Sequence, residues 1–341
     1  MLLLGEVRTA LLQHAAAVSP EEAERLLWLR EGEQVRRATR PLSLVISPDM
    51  FTGVDCHLPA GRPQAGRMVR PTRCVGTTVS RVTLTGGRVL QGSTFVRVVK
   101  GAVNDRMPSW AKYLSDLGTV QTIGRVDWSE VTRGHLAQEL AATSLNLGAI
   151  SGQLLDTVQT RPQVDRRPPF RAARTTLRWA AVDATVDAKA SRVQFTVERD
   201  GLRTLAVGVA DEQVPHLVAL CEDIALHDWL LTTVTEMVDR SRIGEHGRQL
   251  PSEAAAVIER LRPVIDHLLH LWMPGMRAHR TLADVWELLE HRSGMSLQWQ
   301  ATVNRVRDQV AVTTVSLLNG FSRAGSDAGP MPTIVSRASR P

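Results

Sequence analysis

The spacing of apolar residues changes near Glu212, and this change limits the possible folds more than any other feature of the sequence. Before it, apolar residues alternate with polar ones, as at Val193, Phe195 and Val197, which is the period of a β-strand. After it, they recur every three or four residues, as in an amphipathic helix. The sequence therefore predicts an α+β fold: an N-terminal mixed strand and helix region with a small antiparallel meander, then a C-terminal domain like a four-helix bundle.

Proline, glycine and arginine positions divide the chain further. We expect a mixed α/β N-terminal domain over residues 1–160, and an Arg/Pro-rich segment plus the meander over 161–212, packed on that domain. A helical domain is predicted over 213–319, with helices at about 213–242, 252–273, 281–291 and 296–318. Residues 320–341 are predicted to be a disordered tail, because they are small, polar and interrupted by proline.

The register of the meander can also be predicted. A two-residue turn at Asp200 and Gly201 would put the apolar faces of the two neighbouring strands on opposite sides of the sheet. A three-residue loop from Arg199 to Gly201 instead pairs Phe195 with Leu205 and gives Gly201 a positive φ. The segment containing Leu177 and Trp179 is expected to supply the third strand.

A histidine interrupts the apolar stripe of the helix that begins near residue 213. The stripe consists of Leu217, Leu220, Ile224, Leu231, Val234 and Val238, with His227 at its centre. Asp223 lies four residues before His227, so both side chains fall on the same side of the helix. A carboxylate beside an imidazole raises the imidazole pKa and fixes its tautomer, which suits a general base or a metal ligand. The pair also suits a buried contact that holds helices in register, and the sequence leaves both roles open.

A second group of possible metal ligands lies in the next helix. Asp266, His267 and His270 have spacings at which two imidazoles can hold one ion. Their helical angles place them on the polar face, away from the stripe that contains His227. These three residues are candidate ligands, but the spacing alone indicates neither a metal nor another cofactor.

The chain has three cysteines, Cys56, Cys74 and Cys221. An odd number in a long chain argues against a secreted disulfide framework and favours reduced thiols. Cys56 and Cys74 with His57 would supply three zinc ligands, without a fourth. No apolar run approaches the roughly 18 residues of a membrane span, so we expect a cytoplasmic protein without membrane contact.

Arginine dominates the positive charge. The chain has 41 Lys and Arg residues, of which only Lys100, Lys112 and Lys189 are lysines, and its formal net charge is +6. Two Pro-rich segments hold the candidate ligand or polyanion contacts: Arg62, Arg67, Arg70 and Arg73, and Arg166, Arg167, Arg171 and Arg174. Few aromatic residues lie between these arginines. They would neutralise phosphates but read bases poorly, so any nucleic-acid binding is expected to be weak and non-specific.

Five segments carry a resemblance to a known family. They are GEVRT at 5–9, TGVDC at 52–56, LTGGRVLQG at 84–92, CED at 221–223 with HDWLLTT at 227–233, and DHLLHLWMPG at 266–275. With these segments the chain resembles an uncharacterised actinobacterial protein family over about residues 2–318. The resemblance implies a multi-protein system, because genes of this family lie beside those of a P-loop protein and a methyltransferase-like protein. It implies no activity and no catalytic residue.

Two functional classes remain open. One is a non-catalytic adaptor or subunit that docks on partner proteins, which agrees with the absence of any recognisable catalytic motif. The other is an enzyme or anionic-ligand-binding protein, whose site at the interface of the bundle and the N-terminal domain uses Asp223, His227 and nearby arginines. A packed seam together with exposed apolar surface would favour the adaptor, and a polar buried pocket would favour the ligand site.

Overall fold

The computed structural model describes residues 1–60, 72–101, 109–137, 139–183, 193–198, 201–241 and 251–326. Its strands are β1 (Leu2–Leu11), β2 (Arg36–Ala38), β3 (Leu44–Ile46), β4 (Met50–His57), β5 (Arg73–Thr85), β6 (Val89–Lys100), β7 (Thr119–Ile123), β8 (Thr175–Asp183), β9 (Gln194–Val197) and β10 (Leu202–Val209). Its α-helices are α1 (Pro20–Leu27), α2 (Trp110–Ser115), α3 (Trp128–Leu136), α4 (Leu147–Gln159), α5 (Val214–Ser241), α6 (Pro251–His267), α7 (Ala283–Ser293) and α8 (Met295–Ser326).

The described strands form one mixed sheet. Its order is β2-β3-β5-β7-β6-β1-β8-β10-β9, and β4 pairs with β5 off this path. β5 and β6 form a hairpin around Gly86 and Gly87, and both glycines have positive φ. Farther from the turn β5 and β6 diverge, and β7 lies between them, parallel to β6 and antiparallel to β5.

Helices cover both faces of the sheet. Leu3 and Val7 of β1 point towards α5, whereas Leu2 and Leu4 point towards α3 and α4. α1 packs on the same side as α4, over the part of the sheet near the β5–β6 turn. β1 is buried on both faces, and apart from Glu6, Arg8 and Thr9 its residues are apolar or glycine, as expected for a strand with helices on both sides.

The predicted α+β class is confirmed, but the predicted antiparallel meander is wrong. The β9–β10 hairpin has the expected register, with Phe195 opposite Leu205 and Gly201 at φ +75°. The third strand differs, because β8 lies parallel to β10 on one side and antiparallel to β1 on the other. Alternation of apolar residues predicts which face a side chain occupies, but it does not determine which strands are neighbours.

The four predicted C-terminal helices are present, and the described residues between 214 and 326 contain no strand. α6 ends at His267, before the predicted limit of residue 273, and a short 3₁₀ turn over Leu269–Leu271 follows it. Pro263 lies inside α6 and does not mark its start. α5, α6 and α8 pack on one another, whereas α7 contacts β9, so a complete four-helix bundle stays a prediction.

The predicted disordered tail is wrong for its first residues, because α8 continues to Ser326. A glycine such as Gly320 costs only about 1 kcal/mol in a helix interior, which does not end a long helix. The remainder of the predicted tail, 327–341, lies outside the described residues. No helix in the described ranges is long and apolar enough to cross a membrane.

α5 connects the sheet to the helical layer. Its first half, including Leu217 and Ile224, packs in the core formed with β1, β8 and β10. Its second half, including Trp229 and Val234, packs in the core formed with α6 and α8. Leu226, Trp229 and Leu230 are completely buried, because the middle of α5 has protein on several sides. The side chains at this junction form the candidate site.

Candidate functional site

Glu222 is the most strongly coordinated charge at the junction. It lies on α5, is fully buried, and accepts two hydrogen bonds from the Arg81 guanidinium of β5, at 2.7 and 3.0 Å. Ser93 of β6 and Arg277, from the segment between α6 and α7, donate to the same carboxylate. The Gln91 side chain donates to the Glu222 backbone carbonyl at 2.8 Å. Glu222 therefore joins α5 to two strands and to the segment after α6.

The two guanidinium groups keep Glu222 ionised. Burial by itself would raise the pKa of Glu222, but Arg277, Arg81 and Ser93 outweigh burial and lower that pKa to about 2. Glu222 and Arg81 carry opposite charges in low-dielectric surroundings, so removal of either partner would leave an uncompensated buried ion. This arrangement suits a structural clamp, because every Glu222 carboxylate oxygen is engaged by the protein itself.

His227 is buried, as the sequence predicts, but its hydrogen bonds differ from the prediction. Its Nδ1 lies 2.7 Å from the backbone oxygen of Asp223, while the Asp223 carboxylate is 3.6 Å away. Its Nε2 lies 3.2 Å from the backbone nitrogen of Met273. Since an N–H can only donate and a carbonyl can only accept, the neutral ring carries its proton on Nδ1. Both ring nitrogens are therefore bonded to backbone groups.

The expected rise in the pKa of His227 is also wrong. Burial lowers that pKa, and the attraction of Asp223 does not compensate for the loss of solvent. Burial likewise raises the pKa of Asp223, against the opposing effect of His227 and Arg277. Neither Asp223 oxygen makes a hydrogen bond of standard geometry, although the backbone N–H groups of Gly275 and Arg277 approach the carboxylate. Burial therefore shifts both groups towards their uncharged forms.

Aromatic rings enclose the other sides of His227. Trp272 and the imidazole meet in a T-shaped arrangement, with ring centroids 4.9 Å apart and an 86° angle between planes. Trp272 in turn stacks on Trp299 of α8, at 4.3 Å and 4°. The imidazole consequently links α5, the segment after α6 and α8 through packed surfaces, which is the role of a structural residue.

A second buried ion pair attaches α5 to the sheet. Arg203 of β10 donates from Nε to Asp228 at 2.9 Å and from its terminal nitrogen to Thr232 at 3.2 Å. Burial raises the pKa of Asp228, and Arg203 opposes that rise. Since Arg81 and Arg203 hold consecutive turns of α5, they fix both the rotation and the position of the helix on the sheet.

The predicted arginine contacts are not brought together as one site. Arg62, Arg67 and Arg70 lie outside the described residues. Arg73 makes a two-point ion pair with Asp55, both distances being 2.7 Å, and Arg174 bonds Asp156 at 2.7 Å. The three others, Arg166, Arg167 and Arg171, are exposed and make no ion pair with another described residue.

The second arginine segment is held in place by hydrogen bonds and packing. Asp165 accepts hydrogen bonds from the backbone of Ala15 and Arg167, and the Trp229 indole donates to the carbonyl of Ala173 at 2.9 Å. Phe170 packs against the core of α5, α6 and α8. Proline and arginine content predicts an exposed surface, but these contacts anchor the backbone beneath it.

The candidate metal ligands do not converge either. Asp266 pairs with Arg262 at 3.3 Å, and His270 is exposed beyond the end of α6. Burial, and secondarily Arg88, lowers the pKa of His267. Among the described residues, no three His, Cys, Asp or Glu side chains are arranged to hold a metal ion. The sequence spacing assumed one continuous helix through residue 270, and α6 ends before it.

Glu222 and its partners are the part of the site that sequence reasoning missed. A signal was present: Arg81 is the one charge of β5 beyond its first residue, Arg73, and Glu222 follows Leu220 and Cys221 in an apolar helical segment. Isolated opposite charges in two buried elements are expected to pair. The apolar stripe of α5 instead predicted a site at Asp223 and His227.

Comparisons with protein-family models, curated proteins and solved structures find no match for this chain.

Proposed function

We propose that this chain is a non-catalytic adaptor or subunit of a multi-protein system. The observation that carries the proposal is an exposed apolar face on α8. α8 uses one side to pack on α5 and α6, through residues such as Trp299 and Val306. The opposite side has its own apolar spacing and faces solvent.

This outer face of α8 follows a regular 4-3-4-3-4-3 spacing. Its members are Leu297, Ala301, Asn304, Asp308, Ala311, Val315 and Leu318, all of them exposed. Leu297, Val315 and Leu318 are 79%, 56% and 61% exposed. At about 100° per residue, the outer face lies roughly 180° from the packed face. Such spacing is typical of a helix that pairs with another helix.

The charge pattern indicates the chemistry of the partner helix. Asp308 lies in the middle of the outer face, between Asn304 and Ala311, with the larger apolar residues nearer the two ends. A carboxylate in that position would be costly to bury unless the partner supplied a basic residue. We therefore expect an amphipathic helix with an apolar stripe and one Lys or Arg opposite Asp308.

The buried site supports the adaptor over the enzyme. Both ring nitrogens of His227 are hydrogen-bonded to backbone groups, and Arg81 and Arg277 form ion pairs with Glu222. An anionic ligand would have to displace Glu222 to reach these arginines. The alternative, a ligand site at the interface of the bundle and the N-terminal domain, therefore requires a rearrangement that the adaptor does not.

The proposed partners are the P-loop protein and the methyltransferase-like protein that the family resemblance implies, in the cytoplasm. Each would be co-expressed with this chain and the mixture separated by size-exclusion chromatography with light scattering. At least one should co-elute in a defined stoichiometry. The pair Val315→Gln and Leu318→Gln should weaken that binding at least about tenfold, because it removes the apolar contact.

Matched changes outside the outer face provide the control. Arg307→Gln and Thr314→Gln, exposed positions on the flank of α8, should leave binding unchanged. If neither neighbouring protein co-elutes, the proposed partners are wrong. If a partner binds the Val315 and Leu318 variant as tightly as the original chain, the proposed surface is wrong.

A further inference from the structure

Two thiols face each other across neighbouring strands at one end of the sheet. Cys56 of β4 lies directly opposite Cys74 of β5, and their sulfur atoms are 3.9 Å apart. Cys74 is completely buried in the core beneath α3 and α4, whereas Cys56 is half-buried at its margin. The third thiol, Cys221, is buried on the other face of the sheet. Cys56 and Cys74 thus form a pair, and Cys221 lies apart from it.

The backbone already holds the two cysteines at a suitable separation. Directly paired residues in an antiparallel ladder have Cα atoms about 4.5–5.5 Å apart, within the range that a disulfide spans. Their side chains point to the same face of the sheet, so rotation of the two side chains brings the sulfurs together without moving the strands. We propose that Cys56 and Cys74 are a reversible redox modification site, which a hydroperoxide converts from two thiols into a disulfide.

The two cysteines have different roles in this reaction. Cys56 is half-buried and Cys74 completely buried, so a peroxide reaches Cys56 first. The hydrogen bond between the thiols also lowers the pKa of Cys56 and raises that of Cys74, which favours Cys56 as the reacting thiolate. Cys56 attacks one peroxide oxygen, the O–O bond breaks, and the departing oxygen takes a proton to leave as water or an alcohol. Cys56 is then a sulfenic acid.

The second step closes the bond. The Cys74 sulfur attacks the Cys56 sulfur, the S–O bond breaks, and the released hydroxide takes the proton of Cys74 and leaves as water. Together the thiols lose two electrons and two protons to one hydroperoxide. A dithiol reductant reverses the change, so the site can report repeated exposure to peroxide.

The disulfide would attach an edge strand to the sheet. β4 pairs with β5 alone among the described strands, and several of its residues, including Phe51 and Asp55, are exposed. A covalent bond near the end of β4 would oppose fraying of this strand. Because the bond closes the chain between positions 56 and 74, it also reduces the freedom of the unfolded state.

The test oxidises the reduced full-length chain with hydrogen peroxide, alkylates the remaining thiols after unfolding and maps the products by mass spectrometry. We expect a peptide linked through Cys56 and Cys74, with Cys221 alkylated. Dithiothreitol should remove the link. The oxidised chain should melt a few degrees higher than the reduced one, roughly as for other disulfides that close loops of this size.

Single substitutions separate the two roles. In Cys74→Ser, dimedone should trap a sulfenic acid on Cys56. In Cys56→Ser, Cys74 should stay unlabelled. Cys221→Ser is the matched control and should form the link as the original chain does. Thermal melting of each reduced variant shows that it is folded before it is oxidised.

Three results would overturn the proposal. One is a folded chain that forms no linked peptide in excess peroxide. Another is linkage of Cys221 to either partner as readily as Cys56 to Cys74. The third is dimedone labelling of Cys74 in Cys56→Ser equal to that of Cys56 in Cys74→Ser, which would contradict the order of attack.

Discussion

Burial affects the charge of neighbouring side chains on α5 differently. Glu222 stays ionised because two guanidinium groups surround it, whereas burial lowers the pKa of His227 and favours its neutral ring. Asp223, between them in sequence, has its pKa raised by burial. Side chains one to five positions apart therefore differ in charge because the elements packed against them differ.

Replacement of Glu222 by Gln should destabilise the fold by about 3–5 kcal/mol at neutral pH, because it leaves the Arg81 and Arg277 charges buried without a partner. Urea denaturation measures this loss. Glu236→Gln is the matched control on the same helix. It removes an exposed ion pair with Arg240 and should cost only about 0.3–0.5 kcal/mol. Equal costs for the two changes would show that Glu222 is not a clamp.

The same carboxylate predicts a pH dependence. The pKa of Glu222 is lowered from 4.5 to about 2, so its stabilisation is complete above pH 4.5 and is lost as the pH falls from there towards 2. The free energy of unfolding, measured by urea titration from pH 6 downwards, should decline in this window. The decline should be smaller in Glu222→Gln, which has no carboxylate to protonate. Parallel curves for both proteins would exclude Glu222 as the source.

For His227, Gln and Leu substitutions distinguish hydrogen bonding from size. Gln can still accept the Met273 N–H, so His227→Gln should cost about 1 kcal/mol, while His227→Leu leaves that buried donor unpaired and should cost about 1–3 kcal/mol more. Both are measured by urea denaturation, with partner co-elution as a second readout. A His227→Gln protein of normal stability that loses all biological activity would instead indicate chemistry at this ring.

The candidate site could be predicted from sequence only where a local pattern exposed it. The apolar stripe of α5 correctly placed His227 in a core. Its partners could not be predicted, because Met273 lies in another segment and contributes a backbone N–H, which has no sequence signature. The pairing of Glu222 with Arg81 joins residues 141 positions apart, and such contacts depend on the sheet order.

At the level of elements, the spacing of apolar residues predicted which face of each strand or helix is buried, but not which strands pair with one another. The sequence predicted the Phe195 and Leu205 pairing, because turn length and alternation determine the register of a hairpin. It did not predict that β8 lies parallel to β10, since Trp179 points to the same face of the sheet in either arrangement. A helix start can likewise have a local signature: Ser19 caps α1 with a capping box to Glu22.

The junction of α7 and α8 provides a test of backbone conformation alone. Gly294 ends α7 in the left-handed region at φ +60°, and nothing lies within 4 Å of the position that a Cβ would take. Gly294→Ala should therefore cost about 1 kcal/mol through the backbone, and Gly294→Asn less, because Asn tolerates this region better. Thermal unfolding measures both. An Ala variant as stable as the original would mean that the junction relaxes.

At the scale of the whole molecule, the described candidate arginines do not gather into one site. Of the described candidate arginines, Arg73 and Arg174 are engaged by carboxylates, which leaves Arg166, Arg167 and Arg171 exposed in one ordered segment. The net charge of +6 therefore supports general attraction to polyanions more than a shaped nucleic-acid site.

Binding to unrelated DNA duplexes should be weak, independent of sequence and steeply reduced by salt. Replacing Arg166, Arg167 and Arg171 by Gln should lower the slope of log K against log salt by at most about 2.7, since each phosphate contact contributes roughly 0.9. Fluorescence anisotropy across a salt series measures the slope. Replacement of Arg240, an exposed arginine of α5, by Gln serves as control. A sequence preference that persists at high salt would contradict this prediction.

The central position of β1 also affects how the chain can assemble during synthesis. β1 is made before both of its neighbours, and its partners β6 and β8 begin at Val89 and Thr175. A ribosome therefore releases this apolar strand long before either side of it can be covered, and its last partner is complete only at Asp183. Sheets whose paired strands are far apart in sequence fold slowly, and their unpaired strand edges stay exposed in the meantime. An incomplete chain therefore presents β1 with unpaired edges, and such edges are where partly made chains aggregate.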